Sequence, residues 1–459
     1  EEKGEAKTGD NGLDPGDEAS LARMAKNISR HQWELDRTKP IAVAVYTGNT
    51  VERRNVSSRI MMPGNPWGKG SMERDSILTG GDVYARGASV TPGPLSAAVT
   101  LGQMAPPNFP EGRGKRRLAL AEWIVDKKNP LAARVMVNRV WSWHFGRGIA
   151  GNPSNFGGSG ALPTHPELLD YLAEWFMEQG WSVMRLNELL VSSAAYRRSS
   201  RHPDSTQLDA KDLKRELYAV GLPRRLTAEE LRDAMLAVSG ELNRQVGGIP
   251  SRPDINREVA FQPRQIMGGT ASVYEPDPLP RQRNRRSLYA EKMRGLRDPF
   301  LETFNQPGPD QSCELRETSM VAPQALTLCN GEEVHDRTLA FAVRLLEETG
   351  SDRAALGRAF KLALGRTASV REIADCLLHW KAAVEEEKER VYEPLAFPEK
   401  IKRTVMAEKT GRPYEFWEYL PAYEAYVPDL QRSDVDARTR GLAQVCLVIF
   451  NLNEFAYLD

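Results

Sequence analysis

The chain has 459 residues, 41% of them hydrophobic, enough for two or three ordinary domains around sizeable cores. Its 62 basic residues balance 62 acidic ones, so no general field draws it to nucleic acid or to an anionic membrane. No apolar run reaches the roughly 18 to 20 residues that span a bilayer; the best stretch lies around Val445 to Phe450.

Residues 1–18 are acidic, contain glycine and nearly lack large apolar groups, a composition that predicts a disordered tail. The chain starts at Glu1 with neither an initiator Met nor an apolar signal core, and so reads as a processed or truncated product. A lead-in region follows over residues 19–112. Within it, Ser20 to Leu35 is patterned as a short amphipathic helix, and Ile41 to Ala97 shifts to β-branched stretches such as IAVAVYT, broken by Gly/Pro clusters. Strands are expected there. Residues 104–114 read as a Pro/Gly linker.

Helical spacing takes over from residue 113 and runs to residue 459. Arg116 to Asp126 is the first candidate helix, with Asn129-Pro130 as stop and restart, and Leu131 to Phe145 is the second. Thr164-His165-Pro166-Glu167 reads as a capping box opening a third, whose broad apolar face includes Leu168, Leu169, Leu172, Trp175 and Phe176. A second box, Thr227-Ala228-Glu229-Glu230, opens a helix to about Leu242, and further helices are expected over 331–349, 351–364, 369–390 and 435–450. Val391 to Arg432, rich in Pro, Tyr, Glu and Lys, reads as an insertion at about 391–432. The fold class is therefore mainly α, a multi-helix domain with a smaller strand-containing N-terminal portion.

Three blocks carry a family resemblance. Arg116 to Ser200 contains NPLAARVMVNRVW, HFGRG, PTHPELLDYLAEWF, GWSVMR and SSAAYRRSS; Arg285 to Asn330 contains RRSLYAEKMRGLRDPFLETFNQP and TSMVAPQALTLCN; and the chain closes on NLNEFAYLD. In this order they resemble the C-terminal planctomycete secreted domain of the cytochrome-c-associated planctomycete protein family, a family of unknown function. The resemblance implies a periplasmic or cell-envelope protein that works with c-type cytochrome modules and binds or processes complex, sulfated polysaccharide. The alternative is a non-catalytic scaffold or interaction subunit of a cell-envelope cytochrome complex.

Covalent haem needs C-x-x-C-H. Cys313, Cys329, Cys376 and Cys446 stand far apart and none begins that motif, so no cofactor is expected on this chain and haem c is expected only on a partner or on a removed N-terminal segment. The four cysteines can form two disulfides in an oxidising envelope or stay as buried thiols. No His or Cys spacing fits a transition-metal site. Gly146 to Gly151 spells G-x-G-x-x-G, but it follows a helix and runs into Asn152-Pro153, so it reads as a Gly-rich exit loop rather than a dinucleotide fingerprint.

Two candidate sites follow. Six glycines between 146 and 160 let the backbone return toward the second helix, gathering Asn138, Arg139, His144, Asn155, His165 and Asp170 as a candidate polar pocket. The structural alternative has Arg139 paired with Asp170 or Glu122 and His165 capping its own helix. Arg281, Arg283, Arg285 and Arg286 form a basic run whose guanidinium forks suit the carboxylate or sulfate of an acidic glycan, or else a loop paired with its own acidic neighbours.

Overall fold

The computed structural model describes residues 75–101, 109–110, 115–262, 264–266, 269–271, 273–406 and 411–458, with scattered earlier positions (12–13, 17–18, 21, 24–25, 28–29, 32, 35, 48–49, 64–68 and 70). The tail 1–18, the helix expected over 20–35 and the IAVAVYT stretch fall largely outside them. Contacts divide the chain into one compact unit of Ile41–Leu222 and another that includes Pro223–Leu458. The boundary falls inside the helical region expected from residue 113 onward.

In the first unit, β1 (Ser76–Leu78) pairs antiparallel with β2 (Arg86–Ser89), and α1 (Ser96–Leu101) follows. Then come α2 (Arg116–Ile124), α3 (Ala132–Phe145), α4 (Pro166–Glu178), α5 (Val183–Ser192) and α6 (Ser205–Lys211). The apolar stripes of α3, α4 and α5 meet in one core, where Val137, Trp141, Leu169, Leu172, Phe176 and Leu186 are all buried. The second of the two expected capping boxes forms, whereas the one at Thr164 does not. His165 is the N-cap of α4 and makes no side-chain cap bond, and the Thr164 hydroxyl before it donates to the Ile149 carbonyl at 3.3 Å.

The second unit opens with β3 (Arg224–Arg225), which pairs with the terminal β8 (Tyr457–Leu458). Next is α7 (Ala228–Ser239), where the Thr227 and Glu230 side chains reciprocally cap the first turn. Short elements follow: α8 (Arg257–Ala260), the β4–β5 hairpin (Arg264–Ile266, Gly269–Ala271), α9 (Pro280–Arg283), α10 (Pro299–Thr303) and α11 (Ala322–Asn330). The core is built by α12 (Glu332–Glu348), α13 (Asp352–Leu364), α14 (Val370–Lys388) and α16 (Ala437–Phe450), with α15 (Pro421–Glu424) before α16 and α17 (Asn453–Ala456) after it. Phe341, Leu345, Leu356, Phe360, Leu442 and Phe450 belong to this core. A Cβ at Gly441 would lie 2.6 Å from Val384 Cγ2, so glycine is what lets α16 approach α14 this closely.

The expected segment at about 391–432 contains the longest strands among the described residues, β6 (Lys400–Met406) and β7 (Pro413–Tyr419), paired antiparallel from Lys400↔Tyr419 to Met406↔Pro413. Its inward positions include the ion pair Arg403–Glu418 at 2.9 Å. Among the described residues the chain is mainly α, with few and short strands.

Candidate functional site

The polar residues of the first unit serve its Gly-rich loop. Asn138 is fully buried; its Nδ2 donates to the Ala150 carbonyl at 2.9 Å and its Oδ1 accepts the Ala150 N–H at 2.8 Å. Gly146 ends α3 at φ 76°, and a Cβ on Gly148 would sit 2.7 Å from Asn138 Nδ2, so that close return requires glycine. Arg139 is exposed and donates to Ser154 Oγ at 3.2 Å. His144 Nδ1 lies 2.9 Å from the Val140 carbonyl within its own helix. Asn155 bonds Ser159 and the Gly157 N–H inside the loop, and His165 Nδ1 is 2.9 Å from Thr164 Oγ1. Asp170 pairs at 2.6 Å with Arg134. Asn138, Asn155 and His165 thus brace the loop over 146–165, while His144 and Asp170 hold other partners.

The basic run splits by burial. Arg281 and Arg286 are exposed, whereas Arg283 and Arg285 are buried. Arg285 donates to the Ile249 carbonyl at 2.7 Å and to the Gln245 carbonyl at 3.1 Å, and so fastens the preceding loop. Arg283 leads to a different place.

That place is a cavity of about 240 Å³ in the second unit, lined by α7, residues 254–257, the start of α10, the first turns of α12 and parts of 395–431. Helix α12 presents Glu333, Asp336 and Arg337 to it, side chains three and four residues apart and so on one face. A chain of ion pairs forms its wall. Glu241 pairs with Arg337 at 2.9 Å, Arg337 with Asp429 at 2.5 Å, Asp429 with Arg283 at 2.9 Å and Arg283 with Asp254 at 2.7 Å. The Tyr426 hydroxyl donates to Asp254 at 2.6 Å. Arg232 on α7 meets Glu333 at 3.0 Å and donates to the carbonyls of Arg283 and Arg285, both at 3.1 Å.

These surroundings push the carboxyl groups apart. Burial would raise Asp429, but the Arg337 and Arg283 guanidiniums together hold it below the usual range. At Glu241 and Asp254 burial outweighs the single strong arginine contact and the carboxyls are raised. Glu333 is raised by burial and by nearby Asp298, against Arg232. Asp336 is pushed up to about 8, first by burial and then by Asp429, Glu332 and Glu241, against Arg337. Among the described residues it has no hydrogen-bond or ion-pair partner. An acid held protonated beside a carboxylate held ionised is an arrangement able to give up a proton near neutral pH.

A layer of arginines and aromatic rings completes the wall. Arg257 lies 4.2 Å over the Phe397 ring, Phe397 lies 4.5 Å from Tyr426, and Arg283 lies 4.3 Å over Tyr426. Among the described residues no group of three or more His, Cys, Asp or Glu is arranged to hold a metal ion, and the four cysteines are free thiols. No helix among them is long and apolar enough to cross a membrane.

Sequence reasoning passed over this cavity. Its signal was the Glu332-Glu333-x-x-Asp336-Arg337 spacing, which reads equally as a solvated first turn until the chain folds over it.

Fold and cavity together define a mainly helical protein of two compact units, one of which carries an arginine–carboxylate chamber. Residues 116–380 match the family described as PSD1, protein of unknown function (DUF1553), and the chain belongs to that family. The match spans α7, α10 and α12 but stops short of Phe397, Tyr426 and Asp429. No curated protein and no solved structure matches the chain.

Proposed function

We propose that the cavity carries out acid–base chemistry on a polar, hydroxyl-bearing ligand, with Asp336 as the proton donor and a segment of complex polysaccharide as the ligand class. The observation that carries this reading is the Asp336 carboxyl, without a hydrogen-bond or ion-pair partner in a chamber where Glu333, Asp254 and Asp429 are tied to arginines. Held up to about 8, it stays mostly protonated at neutral pH and can protonate the leaving oxygen as the carbon–oxygen bond breaks, with water adding to that carbon and returning a proton to the Asp336 carboxylate. Asp429, kept ionised by the Arg337 and Arg283 guanidiniums, fixes those two arginines beside the chamber. Phe300, Phe397 and Tyr426 supply the apolar surface against which a sugar ring packs.

The test is Asp336→Asn, assayed for product release from a panel of neutral and acidic polysaccharides. Turnover should fall by about 10²- to 10⁴-fold with the unfolding midpoint kept or raised. A folded Asn variant with full turnover removes Asp336 from the chemistry.

We place this activity in the cell envelope beside c-type cytochrome modules, the setting that the family resemblance implies. Haem-bearing chains should co-purify with the native protein, which an optical spectrum of the purified complex checks.

One observation supports the second reading, an interaction subunit. The first unit commits Asn138 to its own loop and leaves Trp143 on α3 63% exposed. Trp143→Ser releasing a co-purifying chain would favour that reading.

A further inference from the structure

The cavity has a second side chain that is not neutralised. Arg232 and Arg337, which line it, and Arg283 behind Tyr426 all meet carboxylates. Arg257 does not. Among the described residues its guanidinium makes no hydrogen bond or ion pair, and it is held by stacking on Phe397 at 4.2 Å. Stacking fixes the plane of a guanidinium while leaving its N–H edge open. Asn256 lines the same stretch and adds an amide.

One layer of rings holds both kinds of arginine. Both end members are arginines over aromatic rings, yet Arg283 is ion-paired with Asp254 and Asp429 while Arg257 has no such pair. A half-buried fork lining a chamber, with carboxylates near but none in contact, lacks only an anion of its own. We propose that Arg257 is the specificity residue of this cavity and receives a carboxylate or sulfate group of the ligand, so that the ligand is an acidic rather than a neutral oligosaccharide. This rests on the cavity being the ligand site but not on Asp336 being the proton donor. Arg232, Arg283 and Arg337 between them meet Glu333, Asp254, Asp429 and Glu241, and no carboxylate contacts the Arg257 guanidinium, so its N–H edge stays available to an anion.

The experiment is calorimetric titration of the folded chain with four probes matched in length: an oligogalacturonate, a sulfated galactan oligosaccharide, a neutral galacto-oligosaccharide and an amine-bearing glucosamine oligosaccharide. One of the first two should bind at least tenfold tighter than the neutral probe, and which one does so separates carboxylate from sulfate. Arg257→Gln should abolish that preference, Arg257→Lys should restore part of it, and rising salt should weaken it in the parent chain. Equal binding of charged and neutral probes, preference for the amine, no binding of any probe, or an unaltered preference in Arg257→Gln each overturns the inference. Loss of preference in Arg257→Gln alongside full turnover in Asp336→Asn would instead retain Arg257 and remove only the proton-donor role.

Discussion

Asn138 grips Ala150 from both sides, its amide nitrogen on the carbonyl and its amide oxygen on the N–H. The pair ties the last turns of α3 to a loop that would otherwise leave two buried backbone groups unsatisfied. Asn138→Ala removes both partners at once. With about 1 to 3 kcal/mol for each buried group left unpaired, the first unit should lose about 2 to 6 kcal/mol in denaturant unfolding. Gly148→Ala should also destabilise, since its Cβ would meet the Ala150 carbonyl at 2.6 Å. Wild-type stability in both variants would show that the loop re-forms without the clamp.

Phe176 is 1% exposed and packs with Trp181 in the core of the α3–α5 unit. Phe176→Ala removes a whole ring from a site walled by helices, which should cost about 3 to 5 kcal/mol. A loss below about 1 kcal/mol in chemical denaturation would mean that the surrounding side chains collapse into the space.

Helices were legible where one apolar stripe faces one core. The ranges 331–349, 351–364, 369–390 and 435–450 each agree with an observed helix to within two residues, because within each one the buried residues recur at helical spacing: Val334, Phe341 and Leu345, then Ala355, Leu356 and Ala359, then Ile373 and Trp380, then Leu442, Val445 and Ile449. The β6–β7 hairpin was not legible. Two of its inward positions hold Arg403 and Glu418, so an ion pair occupies places where alternation would show apolar residues. The cavity was hidden for another reason: its side chains come from 232, 254–257, 298, 332–337 and 395–431, and only the fold collects them. Arg283 and Arg285 read as a basic surface because the carboxylate and carbonyl groups that receive them lie far off in sequence.

The buried pair under the hairpin yields a directional test. Arg403 holds Glu418 at 2.9 Å and also bonds the Phe261 carbonyl. Arg403→Leu leaves Glu418 charged and buried, a loss of about 3 to 5 kcal/mol, whereas replacing both partners by apolar residues of similar volume should be nearly neutral. Hydrogen exchange over 400–419 reads the local effect. Equal cost in the single and double variants would place the hairpin's stability elsewhere.

Asp336 gives the protein a pH dependence of definite sign. Its carboxyl titrates at about 8 when folded, against 3.8 for an unperturbed aspartate, so between those values the folded chain binds the proton more tightly than the unfolded one. Stability contributed by the protonated carboxyl is therefore complete below about pH 4 and declines as pH rises toward 8, by on the order of 1 kcal/mol for each tenfold fall in proton concentration. Asp336→Asn carries no such proton. Its stability advantage over the parent chain should widen from pH 4 to about pH 8 and then level off. Glu333, raised in the same direction, contributes equally to both chains and cancels in the difference if the Asn side chain leaves its surroundings unchanged. Urea midpoints of the two chains across pH 4 to 9 make the measurement. A difference independent of pH would mean that the Asp336 carboxyl ionises as freely in the cavity as in the unfolded chain, and the proton-donor role would fall with it.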